Sequence, residues 1–216
     1  MSLAKRLSVI GAGKMAEAIV SGLMRSKLQP VASTHLYDPN EHRIDLYQKR
    51  WPGMVSHETP AACVENSDLI LLSVKPQHMP GVLESIQGSM DSNALVVSIA
   101  AGCPISQFDA ALPTKSIVRS MPNTPAMVGE GMTVWHATGG CTTLQREQAR
   151  ALLSSVGEEV EVADEGYLDM ATAIVGSGPA YTFLFIESMI DTGVHMGFQR
   201  DVAQKLVLKT VEGSVA

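Results

Sequence analysis

Short apolar runs alternate with helical patterns through the first two thirds of the chain, and Gly or Pro turns separate them. Runs rich in β-forming residues predict strands, over residues 7–10, 35–37, 54–56, 69–74, 95–99 and 117–120, with weaker patterns over 132–136 and 160–162. Apolar residues at helical spacing predict helices, over 15–25, 41–50, 60–66, 79–88, 104–111 and 144–156. This alternation predicts an α/β fold, a doubly wound parallel sheet with helices on both faces.

The strand patterns stop after Glu165, so we expect a sheet domain over residues 1–165 and an all-α region over 166–216. Two helices are predicted there, over 179–195 and 200–215. Apolar side chains surround much of the first helix, namely Phe183, Leu184, Phe185, Ile186, Met189 and Ile190. A helix this apolar needs a covering partner. We expect dimerisation, or a further C-terminal segment, to bury it.

Composition and charge narrow the classes of protein that remain. The 216 residues carry a net charge of −6 and no basic run, which argues against a nucleic-acid partner. Apolar stretches of strand length and a start without a signal peptide predict a soluble, cytoplasmic protein that does not contact a membrane. The three cysteines and six histidines show neither disulfide nor metal-ligand spacing, so we expect no metal.

A glycine-rich turn between the first strand and the first helix is the strongest chemical signal. Gly11 allows a tight turn, Gly13 lets a dinucleotide pyrophosphate approach the backbone, and Ala16 stands where helix and strand touch. The start of the following helix would then face the anion. This arrangement favours dinucleotide binding over an ordinary glycine-rich turn.

Asp38 follows the second predicted strand, where an acidic residue binds the adenosine ribose and favours NAD. Asn40, His42 and Arg43 come next, and an amide or arginine there can hold the extra phosphate of NADP instead. Asp38 also suits a turn or a helix cap, a role compatible with ribose binding. The choice of cofactor therefore stays open.

Further loops follow the later strands, at the edge where open α/β sheets bind ligands. Residues 73–77 and 99–102 would border the nicotinamide half of a dinucleotide, and Lys75 either steers phosphates or is simply solvated. Two prolines bracket Asn123 and Thr124, which suits either ligand positioning or a rigid turn. Ser177 is expected to cap the long helix, and a ligand at that helix start is the less favoured alternative.

Several strings in register resemble the pyrroline-5-carboxylate reductase family. They span nearly the whole chain and comprise IGAGKMA at 10–16, SVKPQ at 73–77, MPNTP at 121–125, VGEG at 128–131 and GSGPAY at 176–181. The segments FIE at 185–187, GVHMG at 193–197 and RD at 200–201 are also similar to the family's first helical-domain segment.

The resemblance implies a Rossmann domain joined to a helical dimerisation domain in a homodimer or larger homo-oligomer. It implies reduction of 1-pyrroline-5-carboxylate to L-proline with NADPH or NADH, the last step of proline biosynthesis. The implied cofactor contacts are Gly11, Ala12, Gly13, Lys14, Met15, Asp38, Ser73, Val74, Lys75, Pro76, Ile99, Ala100 and Ala101. Glu165, with Asn123 and Ser177 as neighbours, is implied at the substrate side.

No catalytic side chain is predicted. A cyclic imine that enters protonated is already an electrophile, so hydride transfer requires placement and exclusion of water rather than a strong protein acid. Thr124 or a water is the alternative proton source if the imine binds neutral.

The sequence departs from the family's pattern in one respect. The family continues through further helices and a Ser-Pro-Gly-Gly-Thr-Thr-like loop that holds the substrate carboxylate, and no such string follows residue 211. The chain therefore resembles a truncated member.

Two other functions fit part of the sequence. A hydroxyacid dehydrogenase of the same plan would present a catalytic lysine on its helical domain, where only Lys205 and Lys209 stand, late on the last helix. A module that binds NAD(P) without turnover is the other alternative.

Overall fold

The computed structural model describes residues 2–215 and contains two compact units, Met1–Gly176 and Ser177–Ala216. In the described part of the first unit, one sheet has eight strands: β1 Leu7–Ile10, β2 Thr34–Tyr37, β3 Val55–Ser56, β4 Leu69–Leu72, β5 Leu95–Ser98, β6 Ile117–Pro122, β7 Gly131–Ala137 and β8 Gly157–Glu161. The helices of this unit are α1 Lys14–Arg25, α2 Glu41–Arg50, α3 Pro60–Val64, α4 Met79–Ile86, α5 Ile105–Ala111, α6 Thr143–Leu153 and α7 Gly166–Ala171.

The strand order β3-β2-β1-β4-β5-β6-β7-β8 is that of a doubly wound sheet. All neighbouring strands are parallel except β6 and β7. The sheet is therefore mostly parallel, as the alternating pattern predicted, and the antiparallel pair is a feature that the pattern did not indicate. The link over 123–130 is shorter than the roughly dozen residues that a parallel crossover needs, so the chain turns back antiparallel.

Both faces of the central sheet are buried. Every residue of β1, β4 and β5 is buried, which explains why these strands are continuous apolar runs in the sequence. Leu7 and Leu71 belong to the core on one face, and Ile70 and Leu72 to the core on the other. Helices therefore cover both faces, as the alternating pattern predicted.

Helix α1 packs directly on a second backbone segment. A Cβ at Gly22 would collide with the carbonyl group of Ser155, in the 3-10 turn Ser154–Val156 that follows α6. Only glycine allows this close approach of helix and turn.

Helical structure begins at Gly166, where the all-α region is predicted to start, and before the first helix predicted there at residue 179. Helix α7 and a π-helical segment, Thr172–Gly176, precede the long helix α8, Gly178–His195. The segment contains β-branched residues of modest helix propensity, so the sequence pattern did not predict it. The prediction that Ser177 caps α8 is wrong, because Ser177 has helical backbone angles and its side chain makes no capping hydrogen bond.

The second unit is a helical hairpin of α8 and α9, Arg200–Val215. Ile190 of α8 packs with Ala203 and Val207 of α9. Other apolar side chains of α8 stay exposed, among them Tyr181, Phe183, Leu184 and Phe185. By length and composition alone, the stretch Gly166–His195 is long and apolar enough to cross a membrane.

Candidate functional site

A cleft of about 800 Å³ lies at the edge of the sheet where β1, β2 and β4 end. Its walls come from the glycine-rich turn, the end of β2, the loop after β4, and α4. The lining residues are Gly11, Gly13, Tyr37, Asp38, Pro39, Asn40, Pro60, Ser73, Val74, Lys75, Gln77, His78, Gly81, Val82 and Ser85. Ligands of doubly wound sheets bind at this edge.

The two glycines of the turn have different surroundings. Gly11 has a φ of +98°, and a Cβ there would lie 2.7 Å from the carbonyl oxygen of Ser73. A Cβ on Gly13 would meet nothing within 4 Å. The fold therefore requires glycine at position 11, whereas the space at position 13 is available to a ligand.

The first backbone amides of α1 follow directly after Gly13. The first hydrogen bond of α1 runs from the amide of Glu17 to the carbonyl of Gly13, so the amides of Lys14, Met15 and Ala16 have no acceptor within the helix. Amides at a helix start and a bare glycine form a surface that suits a pyrophosphate. The residues present therefore fit a dinucleotide.

Asp38 joins the end of β2 to the glycine-rich turn. Its Oδ2 accepts the amide of Ala12 at 2.7 Å, and its Oδ1 accepts the amide of Asn40 at 2.9 Å. Asn40, and not Asp38, caps α2, by accepting the amide of His42. Asp38 is therefore a turn former whose carboxylate lines the cleft.

A cluster of charged groups supports the turn from the other side. Nε of Arg43 donates to the carbonyl of Ala12 at 2.6 Å, and its Nη2 lies 2.9 Å from Oε2 of Glu17. Glu17 also pairs with Arg50 at 2.9 Å and with Lys14 at 3.5 Å. The hydrogen bond from Arg43 contributes most to lowering the pKa of Glu17. Glu17 was not predicted as a site residue. The available signal was an acidic residue in the first turn of α1 together with two arginines on the next helix, α2.

Six of the predicted cofactor residues line the cleft: Gly11, Gly13, Asp38, Ser73, Val74 and Lys75. The other seven are outside its lining, namely Ala12, Lys14, Met15, Pro76, Ile99, Ala100 and Ala101. Backbone hydrogen bonds nevertheless hold the loops at one edge, since the amide of Ser73 donates to Ile10 and that of Ile99 donates to Leu72.

Glu165 lies in an ion-paired cluster with a buried arginine. Its Oε1 accepts Nη1 of Arg119 and the backbone amide of Ile105, both at 2.8 Å. Nη2 of Arg119 reaches Oδ1 of Asp169 at 2.7 Å. Glu165 thus connects β6 to the start of α5. Arg119 was not predicted as a site residue, although a lone arginine inside an apolar strand is an informative signal.

Both polar atoms of the Asn123 side chain form hydrogen bonds within the first unit. Its Oδ1 accepts the amide of Met132 at 2.9 Å, and its Nδ2 donates to the carbonyl of Val175 at 3.3 Å. No hydrogen bond between Asn123 and Glu165 occurs among the described residues. Ser177 begins the second unit.

Comparison with known proteins agrees with these features. Residues 165–216 match the family model for pyrroline-5-carboxylate reductase dimerisation, and residues 6–102 match the model for NADP oxidoreductase, coenzyme F420-dependent. The pyrroline-5-carboxylate reductase of Synechocystis is 41% identical over 97% of this chain and 77% of its own length. That of Pseudomonas aeruginosa is 38% identical over 97% of this chain and 76% of its own.

Solved structures give the same result. The pyrroline carboxylate reductase of Plasmodium falciparum, with NADP bound, has a TM-score of 0.86 and 30% identity over 100% of this chain and 79% of its own. The Coxiella burnetii reductase has a TM-score of 0.91 and 28% identity, covering 98% and 78%. The chain therefore belongs to the pyrroline-5-carboxylate reductase family.

Proposed function

We propose that this protein reduces 1-pyrroline-5-carboxylate to L-proline with NADPH or NADH, as the final step of proline biosynthesis. The observation that carries the reaction is family membership, with 41% identity to a reductase over 97% of the chain. The hydroxyacid dehydrogenase alternative is not favoured, because the family match is to reductases and the lysines of the helical region, Lys205 and Lys209, both lie on the last helix, α9.

The cofactor would lie along the cleft at the carboxyl ends of β1, β2 and β4. Supporting this, the open space at Gly13 and the free amides of Lys14 and Met15 suit the pyrophosphate, and Asp38 suits the ribose. Residues 73–76 and 99–101 would border the nicotinamide half, at neighbouring strand ends. When bound, the nicotinamide supplies the hydride.

We assign the substrate side to Glu165, with Asn123 and Ser177 as neighbours. The carboxylate of Glu165 is held by Arg119 and by the amide of Ile105, so its orientation is fixed before any substrate enters. A fixed carboxylate can orient a cationic imine without transferring a proton. No protein acid is required if the imine arrives protonated, and we assign no catalytic side chain.

We also propose a homodimer assembled through the helical region, working in the cytoplasm. The dimerisation family model matches 165–216, and α8 exposes Phe183, Leu184 and Phe185. A partner helix face would bury these side chains. The free, buried thiols of Cys63, Cys103 and Cys141 suit a reducing compartment.

The test is a spectrophotometric assay of nicotinamide oxidation with 1-pyrroline-5-carboxylate, run beside the reverse assay with a 3-hydroxyacid. We expect turnover with the imine alone. Turnover with the hydroxyacid would favour the dehydrogenase, and nucleotide binding without any turnover would favour a non-catalytic module.

A further inference from the structure

We infer that Asp38 and Glu17 make this protein select NADH over NADPH. The inference rests on the proposed function, because it concerns the adenosine end of the same cleft. Two independent features carry it: a carboxylate fixed at the end of β2, and an arginine that is already ion-paired.

The carboxylate of Asp38 is held in place by the backbone. Amides of Ala12 and Asn40 reach its two oxygens at 2.7 and 2.9 Å, and Asp38 lines the cleft. A carboxylate with such contacts cannot turn away from a ligand without leaving two amides unsatisfied.

The same carboxylate keeps room for a ribose. Carboxylate oxygens offer about four acceptor positions, and two are in use, so the remainder can accept ribose hydroxyl groups. A 2′-phosphate in that place offers no hydroxyl donor and adds like charge. Asp38 therefore favours the unphosphorylated nucleotide.

Arg43 is the arginine nearest to Asp38 in sequence, and its guanidinium already has protein partners. Its guanidinium donates to the carbonyl of Ala12 and to Glu17, and only 17% of its side chain is exposed. Other N–H donors of Arg43 are still available, but a phosphate would have to compete with Glu17 for the charge of this guanidinium. Glu17 therefore weakens the attraction of this cation for a phosphate.

The other cationic groups nearby do not replace it. Lys14 extends into solvent with 71% of its side chain exposed and pairs with Glu17 at 3.5 Å. Arg50 is also directed to Glu17, at 2.9 Å. His42 is exposed on α2 and does not line the cleft. Lys75 lines the cleft from the loop after β4, on the nicotinamide side of the proposed site. Three cations of α1 and α2, namely Lys14, Arg43 and Arg50, converge on Glu17.

The test is fluorescence titration of the full chain with NADH and with NADPH, comparing the two dissociation constants. We expect the wild type to bind NADH at least about tenfold more tightly. Asp38→Asn should narrow the ratio about tenfold or more, mainly by improving NADPH binding. Glu17→Gln should also improve NADPH binding. It removes the charge that pairs with Arg43 and keeps a side chain of nearly the same shape at position 17.

Asp45→Asn is the matched control. It makes the same charge change on α2, at an exposed position outside the cleft lining, and should leave the ratio unchanged. The ratio within one variant corrects for any loss of folded protein, and thermal unfolding of each variant checks folding directly.

Tighter binding of NADPH by the wild type would overturn the inference while leaving the proposed function intact. Equal weakening of both nucleotides by Asp38→Asn would also overturn it, since Asp38 would then support only the turn. If neither nucleotide bound, both the inference and the cofactor site would be wrong.

Discussion

At the scale of single residues, Gly11 and Gly13 show that one motif serves two purposes. The backbone at Gly11 adopts a φ of +98° against the carbonyl of Ser73, so its glycine is a folding requirement. The position at Gly13 is open, and this space is where we propose that the nucleotide binds. The tight turn predicted at Gly11 is confirmed, because the turn's chemistry is local. The ligand role of Gly13 stays a prediction.

Substitutions at these glycines should separate folding from binding. Gly11→Ala should lower the free energy of unfolding by about 1–3 kcal/mol, because of the backbone strain and the clash with Ser73. Gly13→Asp should leave thermal stability nearly unchanged and abolish NADPH and NADH binding in titration calorimetry, because it adds bulk and negative charge where the pyrophosphate lies. Unchanged affinity in Gly13→Asp would show that the nucleotide binds elsewhere.

At the scale of elements, the ion pairs of the buried Arg119 tie α7 to the sheet. Arg119, with 7% of its side chain exposed, joins β6 to Glu165 and Asp169. Hydrogen bonds to these two carboxylates outweigh burial and raise the pKa of Arg119, so it stays charged. A distant pair of this kind depends on how the chain folds back, and spacing in the sequence could not predict it.

Removing Arg119 should lower the free energy of unfolding much more than removing an exposed cation. We expect Arg119→Met to lower the free energy of unfolding by about 2–3 kcal/mol, because it leaves Glu165 partly buried without its cation. Lys115→Met, which breaks an exposed pair with Asp109, should cost less than about 1 kcal/mol. Urea denaturation of the two variants measures both values, and equal costs would contradict the role of burial.

The outer edge of the sheet carries a pair of histidines. Nδ1 of His35 and Nε2 of His57 lie 2.8 Å apart, so one ring must be neutral to accept the hydrogen bond. Burial, followed by the charges of Arg6 and His57, lowers the pKa of His35 to about 4. The pKa of His57 is lowered too, mainly by burial.

This pair predicts an acid-labile edge. The unfolded chain binds a proton at His35 near pH 6.5, whereas the folded protein binds it only near pH 4, so stability falls as the pH drops through that window. The loss should be on the order of 1–2 kcal/mol for a partly solvated pair. His35→Gln should flatten the dependence of unfolding free energy on pH, whereas His42→Gln at an exposed position should not. A variant as acid-sensitive as the wild type would show that other groups govern the loss.

The elements themselves were largely predictable. Strand and helix positions match the patterns to within a few residues for β1, α2 and α9. For β1 the reason is burial, because all four of its residues are buried. The direction of β7 and the π-helical segment before α8 were not predictable. The first depends on the length of a link, and the second on tertiary contacts such as the bond from Asn123 to Val175.

At the scale of the whole molecule, the exposed face of α8 is the feature that sequence reasoning identified and the hairpin alone does not bury. Ile190 packs against α9, but Leu184 remains 64% exposed. In a soluble dimer this face would meet a second copy.

A charge on this face should disrupt assembly. We expect the wild type to elute as a dimer in size-exclusion chromatography with light scattering, and Leu184→Glu to shift it to monomer. Leu144→Glu changes a residue of similar exposure, 60%, in the first unit and should leave the dimer intact. A wild-type monomer, or a dimer retained in Leu184→Glu, would contradict this interface.

The contact between Gly22 and Ser155 has a consequence for nucleotide recognition. The helix whose amides would meet the diphosphate is seated, backbone on backbone, against the turn after α6. Folding itself orders this helix, so nucleotide binding would cost little further conformational entropy of the protein.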